Sequence, residues 1–387
     1  VGDPRGRLDR NLDGLSPRIY GGLENKTPGL SRIKTTFIYS AQVIVTVIKI
    51  NGVQMLQRKI VGRDIEAIGL GCMNLSHAYG QPPGKDEAIA LLHRAFDLGV
   101  RHFDTAALYG FGANEKLVGE AMSERRQDIF LASKCGMRGV DGKRVIDGRP
   151  EALVQTLEQS LQNLNTDFID LYYLHRWDKS VPIEDSVGAL ARMVEQGKIG
   201  AIGLSEVSAN TLRQAAAIHP IAAVQTEYSL WTRNAEIAVL EACRELNCTF
   251  VAFSPLARGF LSDAVAAPAN LAEKDIRRGM PRFQQPNFGA NQTLLSQFMA
   301  LAKQAGCTPA QLALSWLLQQ GEHIVAIPGT RSIAHLEENI GAGTLAINPS
   351  ILTAAAEIFA RPAVQGERYP LVTQAEIDTE EFSSAAS

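Results

Sequence analysis

From residue 65 onward the chain alternates between two hydrophobic patterns. Short β-branched or apolar runs are each followed by a longer stretch whose apolar residues recur three and four apart. The runs are IEAIGLGCM, HFDTAA, DIFLASKCG, FIDLYYLH, IGAIGLSE, IAAVQTEYS, CTFVAFSPLA and HIVAIPGT, and each reads as a strand. The stretches between them predict helices over 86–98, 114–124, 150–164, 183–196, 209–218 and 235–246. Further helices fall beside the seventh and eighth strands, and an extra one covers 351–359. Leu153, Leu157, Leu161 and Leu164 mark one helical face. Eight β/α units in succession predict an α/β fold, a closed (β/α)8 TIM barrel with extra C-terminal helices. An open doubly wound sheet is the alternative, and it usually carries GxGxxG after its first strand. Here that place holds Gly69-Leu70-Gly71-Cys72-Met73-Asn74, without the fingerprint.

Residues 1–54 follow neither pattern clearly. They carry eight basic against four acidic residues with many Gly and Pro, which reads as a poorly ordered extension without catalytic function. A small partner-binding element and translated sequence upstream of a start at Met55 are the competing readings, and VIVTVIKI is a candidate added strand. Met55 then opens LQRKIVGRDIEAIGLG, two β-like runs about Gly62-Arg63-Asp64, which predict an N-terminal hairpin. The division is therefore an extension over 1–54 and a barrel domain over 55–387.

Composition narrows the function classes. A net charge of −3 leaves no electrostatic footprint for a nucleic-acid backbone. The strongest apolar run, FIYSAQVIVTVIKI, is too short for a membrane span and holds Ser40, Gln42 and Lys49. No signal-peptide pattern is recognisable, and five scattered cysteines without a CxxC pair argue for free thiols in a reducing compartment. The expectation is a cytoplasmic protein without metal. A metal-dependent barrel hydrolase would need clustered ligands at strand ends, whereas the seven histidines are spread singly.

In a (β/α)8 barrel, chemistry sits where strands end. Asp104 ends the second strand, Tyr109 follows in its loop, Lys134 ends the third and His175 the fourth. A lysine at an otherwise apolar strand end needs a partner, and Asp104 would hold it and keep it charged. A nearby Lys⁺ favours the phenolate and lowers a tyrosine pKa toward the working range of a general acid. His175 would orient a carbonyl. These groups suit protonation of an oxygen that becomes an alcohol while hydride arrives at carbon, and a nicotinamide would supply the hydride.

The segments Phe103-Asp104-Thr105-Ala106 with Leu108-Tyr109-Gly110, Ala132-Ser133-Lys134 and Tyr173-Leu174-His175 resemble the aldo-keto reductases. So do Gly203-Leu204-Ser205-Glu206, Val224-Gln225-Thr226-Glu227-Tyr228-Ser229, Phe253-Ser254-Pro255-Leu256 and Ile327-Pro328-Gly329-Thr330-Arg331, in order, over residues 55–369. The resemblance implies NADPH extended across the barrel mouth and reversible reduction of an aldehyde or ketone. By position it makes Tyr109 the proton donor, tuned by Lys134 and Asp104, with His175 on the substrate carbonyl. It implies Ser205 and Gln225 on the nicotinamide carboxamide, Tyr228 stacked on the ring, and Ser254, Pro255, Leu256, Gly259 and Leu261 beside the pyrophosphate. Gly329, Thr330, Arg331, Glu338 and Asn339 would hold the adenosine end. Gly329 and Thr330 open onto a helix start, which favours phosphate, and Arg331 can fork onto a 2′-phosphate, so NADPH is expected before NADH. His335 departs from the arginine that many relatives carry there, which leaves NADH open.

Trp177 and Trp231 are expected to wall the substrate pocket or, equally, to pack between helices. Met73, Asn74 and Tyr79 are further wall candidates. The segment 277–283 is either a cover over the site or a solvated loop. The partner is a small carbonyl compound, with neither nucleic acid nor membrane; oligomeric state is not readable. A second function class, an NADP-binding redox-sensing subunit resembling the potassium-channel β subunits, shares the fold and much of the site.

Overall fold

The computed structural model describes residues 34–40, 43–50, 53–262 and 267–382 of the chain. Strands β1 (Lys34–Ser40), β2 (Val43–Ile50), β3 (Val53–Ile60) and β4 (Arg63–Glu66) form an antiparallel meander. The expected hairpin is β3–β4, but it turns at Val61 and Gly62, whose φ values are +54° and +75°. Two successive left-handed residues make the turn type that matches strand twist, so Arg63 and Asp64 already belong to β4. β1 and β2 lie within residues 34–50, and VIVTVIKI, the candidate added strand, is β2. Residues 1–33 lie outside the described residues.

Eight parallel strands follow: β5 (Leu70–Gly71), β6 (His102–Asp104), β7 (Phe130–Cys135), β10 (Leu171–Leu174), β11 (Ile202–Ser205), β12 (Ile221–Glu227), β13 (Thr249–Phe253) and β14 (Ile324–Ala326). They pair in that order. A bridge between Ile68 and Ala326 joins last to first. The Gly69 N–H donates to the Ala326 carbonyl and the Ala326 N–H to Ala67, both at 2.8 Å, so the sheet closes into a (β/α)8 barrel. A small hairpin, β8 (Met137–Val140) with β9 (Lys143–Ile146), stands on the β7 loop.

Helices α1 (Lys85–Asp97), α2 (Ala113–Met122), α3 (Pro150–Leu164), α4 (Ile183–Glu195), α5 (Ala209–Ala216) and α6 (Val239–Glu245) cover the outside after successive strands. Next come α7 (Asn287–Ala305), α8 (Pro309–Leu318), α9 (Ile333–Gly341), α10 (Pro349–Ile358) and α11 (Leu371–Gln374). α3 has the bounds its pattern predicts: Pro150 presets the first turn, Asn165 ends it at φ +50°, and all four leucines of its face are buried. Each such leucine contributes about 1.5–3 kcal/mol by leaving water.

Because side chains alternate along a strand, the barrel has an inner and an outer core. The outer one, between strands and helices, includes Phe103, Leu131, Tyr172, Leu204 and Phe250. The inner one holds Phe130, Ala132, Leu171, Tyr173, Ala201, Ala223, Val251, Val325 and Ile327, with Ile60 and Ile65 of the hairpin closing the floor. Gly203 belongs to this face for a steric reason. A Cβ there would lie 2.3 Å from the Tyr173 ring, so only glycine lets that ring fill the barrel.

Candidate active site

Carrying the inner face one step further along each strand changes its chemistry. Beyond Ala132 comes Lys134, beyond Tyr173 comes His175, beyond Gly203 comes Ser205, and beyond Ala223 comes Gln225. Asp104 pairs in register with Ala132, so Lys134 stands one pleat above it and reaches down. Its Nζ forms an ion pair with Asp104 Oδ1, donates to the Thr105 carbonyl at 2.8 Å and lies 3.4 Å from the Tyr109 hydroxyl. Gln225 Nε2 donates to the other Asp104 oxygen at 2.7 Å. The Tyr109 and His175 rings meet edge to face at 5.7 Å. Tyr109 opens a one-turn helix in which Gly110, Phe111 and Gly112 all have positive φ. At 110 a Cβ would also meet Ala113 and Ser76 at 3.2–3.3 Å, so glycine brings the chain back tightly enough to hold the ring over Lys134.

The electrostatics of this group differ from the expectation at one point. Burial raises the Tyr109 pKa, and although Lys134 pulls the other way, the net shift is upward. The hydroxyl therefore holds its proton firmly at neutral pH. For Lys134, burial opposes the charge, but Asp104 and Tyr109 outweigh it and the pKa rises. His175 is pushed well below its ordinary value by burial and then by Arg176, Lys134 and Arg144. It is a neutral imidazole with one N–H to donate.

Asp104, Tyr109, His175 and Gln225, with Lys134 buried behind them, line one end of an open cavity of about 630 Å³ that runs across the barrel mouth to the start of α9. The sequence model of the Aldo/keto reductase family matches residues 67–358. The chain belongs to the aldo/keto reductase family. It is 43% identical over 320 residues, 81% of this chain and 94% of the relative, to an NADP(+) aldo-keto reductase, yakc, of Schizosaccharomyces pombe. It is also 43% identical over 311 residues, 80% of this chain and 89% of the relative, to a probable aldo-keto reductase 1 of Glycine max. Among solved structures it resembles a glycerol dehydrogenase of Gluconobacter oxydans, with TM-score 0.73, 28% identity, and coverage of 80% of this chain and 97% of that one. A holo aldo-keto reductase of Bacillus halodurans gives TM-score 0.67 at 26% identity, covering 80% and 98%.

The reductase cavity gathers most of the residues singled out in the sequence. Ser205, Gln225, Ser254, Pro255, Leu256, Gly259, Gly329, Thr330, Arg331, Glu338 and Asn339 all line it, as do Met73, Asn74 and Tyr79. Four do not. Tyr228 is fully buried outside the barrel wall, against Phe250 and Trp316, with its hydroxyl on Glu236 at 2.9 Å. Leu261 is buried in the outer core. Trp231 stacks on Phe260 at 4.1 Å within an aromatic cluster, and Trp177 turns its indole N–H to the Val181 carbonyl at 2.9 Å. The two tryptophans thus take the packing alternative. Phe253 was missed. It stands two residues beyond Val251 on the inner face and lines the cavity beside Ser254, so it is the aromatic ring the mouth presents where Tyr228 was expected. The loop 277–283 contributes Arg277, Gly279 and Met280 to the cavity wall.

An extended dinucleotide fits this lining. At the α9 end, Asn339 is 3% exposed, and its Oδ1 has no partner among the described residues. Gly329 has no room for a side chain, since a Cβ would sit 2.9 Å from Asn74 Oδ1 and 3.0 Å from the Gly71 carbonyl. Arg331 lies exposed beside them, tethered only through Nη1 to the Tyr79 and Gln81 carbonyls at 3.2 and 2.6 Å.

Proposed function

We propose that this reductase uses NADPH to reduce the carbonyl carbon of an aldehyde or ketone, reversibly, with Tyr109 as proton donor. One observation carries the reading: a buried Lys134–Asp104 ion pair places Nζ 3.4 Å from a protonated Tyr109 hydroxyl beside a neutral His175, at the end of a cavity long enough for a dinucleotide. The bound nicotinamide supplies hydride. Tyr109 Oη–H donates to the carbonyl oxygen as that oxygen gains charge. The Lys134 ammonium stabilises the phenolate left behind, and Asp104 holds the ammonium charged and in place. The His175 N–H orients the same oxygen. Ser205 and Gln225 are assigned to the carboxamide, Phe253 to the ring, and the 254–259 loop to the pyrophosphate. Gly329, Thr330, Arg331, Glu338 and Asn339 are assigned to the adenosine phosphate end. Action in the cytoplasm goes with five free cysteines, four of them buried.

The test is NADPH oxidation followed at 340 nm over a panel of aldehydes and ketones, beside NADH and the Tyr109→Phe variant. Turnover that collapses in the variant supports the reading. Tight NADPH binding without turnover on any carbonyl overturns it.

A further inference from the structure

Five arginines line the cavity: Arg144, Arg176, Arg258, Arg277 and Arg331. Three have carboxylate partners, since Arg144 pairs with Glu376, Arg258 with Glu227 and Arg277 with Asp275. The other two meet no carboxylate among the described residues. One is Arg331, whose assignment to the 2′-phosphate accounts for its free charge. The second is Arg176, at the opposite end. Its Nη1 donates to the His175 carbonyl at 2.6 Å and to Ser205 Oγ at 3.3 Å, both neutral acceptors. Its Nε is buried and has no partner among the described residues.

A guanidinium half removed from water beside neutral groups is costly unless an anion joins it. Cofactor phosphates belong to the middle and far end of the cavity, so they do not reach it. We propose that Arg176, with Arg144 and His77 in the same cavity lining, forms a subsite for an anionic group carried by the carbonyl substrate. The proposal rests on the carbonyl-reductase reading of the same cavity.

The surroundings agree with a small anionic substituent. Arg176 follows His175 directly, and its Nη1 reaches Ser205 Oγ within the lining that also holds His175 and Tyr109. An anion on Arg176 would therefore sit at the same end of the cavity as the carbonyl those two groups hold. His77 lies parallel to the Tyr109 ring at 6.2 Å. Arg144 acts on His77 and His175, while Glu376 takes up much of its charge from the C-terminal segment. Asp104, the carboxylate at this end of the lining, is already engaged by Lys134 and Gln225. Arg176 can offer a charge-assisted hydrogen bond to a carboxylate or phosphate. The favoured substrates are oxo acids, aldehydes bearing a carboxylate, or phosphorylated carbonyl compounds.

The experiment compares kcat/KM for 4-carboxybenzaldehyde against benzaldehyde, and for glyceraldehyde 3-phosphate against glyceraldehyde, in the wild type, Arg176→Gln and Arg176→Lys. The wild type should favour at least one anionic member of these pairs. Arg176→Gln should cut that preference about tenfold or more, mainly through KM, with Arg176→Lys recovering part of it. Whichever pair responds identifies carboxylate or phosphate as the group. A second arm titrates 4-(hydroxymethyl)benzoate and benzyl alcohol into the NADP⁺-loaded protein by calorimetry. The benzoate should bind more tightly in the wild type and lose that advantage in Arg176→Gln. Preferences unchanged by Arg176→Gln in both arms would overturn the subsite, as would a variant that weakens NADPH binding alone. Failure to reduce any aldehyde strikes the reductase reading instead, and the calorimetric arm still decides Arg176.

Discussion

The floor and the mouth of this barrel are built on the same strands with the same inward-facing alternation, yet they behave as opposites. At the floor, Ile60 and Ile65 of the hairpin seal a layer of Phe130, Leu171, Ala201 and Val325. His102, an ionisable group beside Phe130, is fully buried, its ring nitrogens have no partner among the described residues, and burial lowers its pKa to about 4. Two residues further along the same strand, Asp104 is equally buried but forms an ion pair with Lys134. The difference teaches that burial alone does not decide charge. A group that finds an opposite charge and further donors keeps its charge, and one that finds neither stays neutral.

Breaking the mouth should have the largest effect. Tyr109→Phe removes the proton donor while keeping the ring, and kcat should fall by about 10²–10⁴-fold with NADPH affinity, read by fluorescence quenching, nearly unchanged. Lys134→Met strands the Asp104 charge in the interior. It should abolish turnover and also cost about 3–5 kcal/mol in urea unfolding, a double loss that Tyr109→Phe does not share. At the far end of the cavity, Arg331→Gln should weaken NADPH binding about tenfold or more while leaving NADH nearly untouched. In the layer between floor and mouth, Gly203→Ala pushes a methyl into the Tyr173 ring and should cost about 1–3 kcal/mol of stability, with a smaller effect on kcat than any mouth substitution.

The smallest effects come from pH, and they sharpen the contrast. The folded pKa of His102 lies near 4, below its ordinary 6.5. Its contribution to stability is present above pH 6.5 and is lost as pH falls toward 4, because the unfolded chain takes up the proton first. Glu227 has the same sign for another reason. Burial alone would raise its pKa, but Arg258 and Arg368 outweigh it and bring the value to about 2, from 4.5. Its contribution is lost between pH 4.5 and 2. Urea midpoints measured from pH 7 down to 3 should therefore fall in two stages, and His102→Gln should remove part of the upper one.

Much of this architecture was readable along the chain because its signals are local. Eight short apolar runs alternating with helical faces define a barrel, and Asp104, Lys134 and His175 stand out as polar residues ending apolar strands. The residues that lie away from the cavity share a cause. The resemblance assigns Tyr228 by position to the nicotinamide ring, but Tyr228 lies an odd number of residues from Gln225, past the strand end, and faces the helices. Phe253 keeps the even spacing from Val251 and faces in. Trp177, Trp231 and Leu261 lie in loops, where no periodicity reports direction. Arg176 was legible as a residue, but its missing carboxylate partner was not.

The sequence by itself determined the strands, the helices, the barrel and which end of it would carry chemistry, because hydrophobic periodicity acts over neighbouring residues. Only the tertiary structure decided that Tyr109 keeps its proton against the pull of Lys134. Only the tertiary structure decided that Phe253 rather than Tyr228 lines the cavity, and that of five arginines there Arg176 and Arg331 meet no carboxylate among the described residues. Those outcomes depend on burial and on pairings such as Arg144 with Glu376, whose partners are distant along the chain and meet only when the barrel closes.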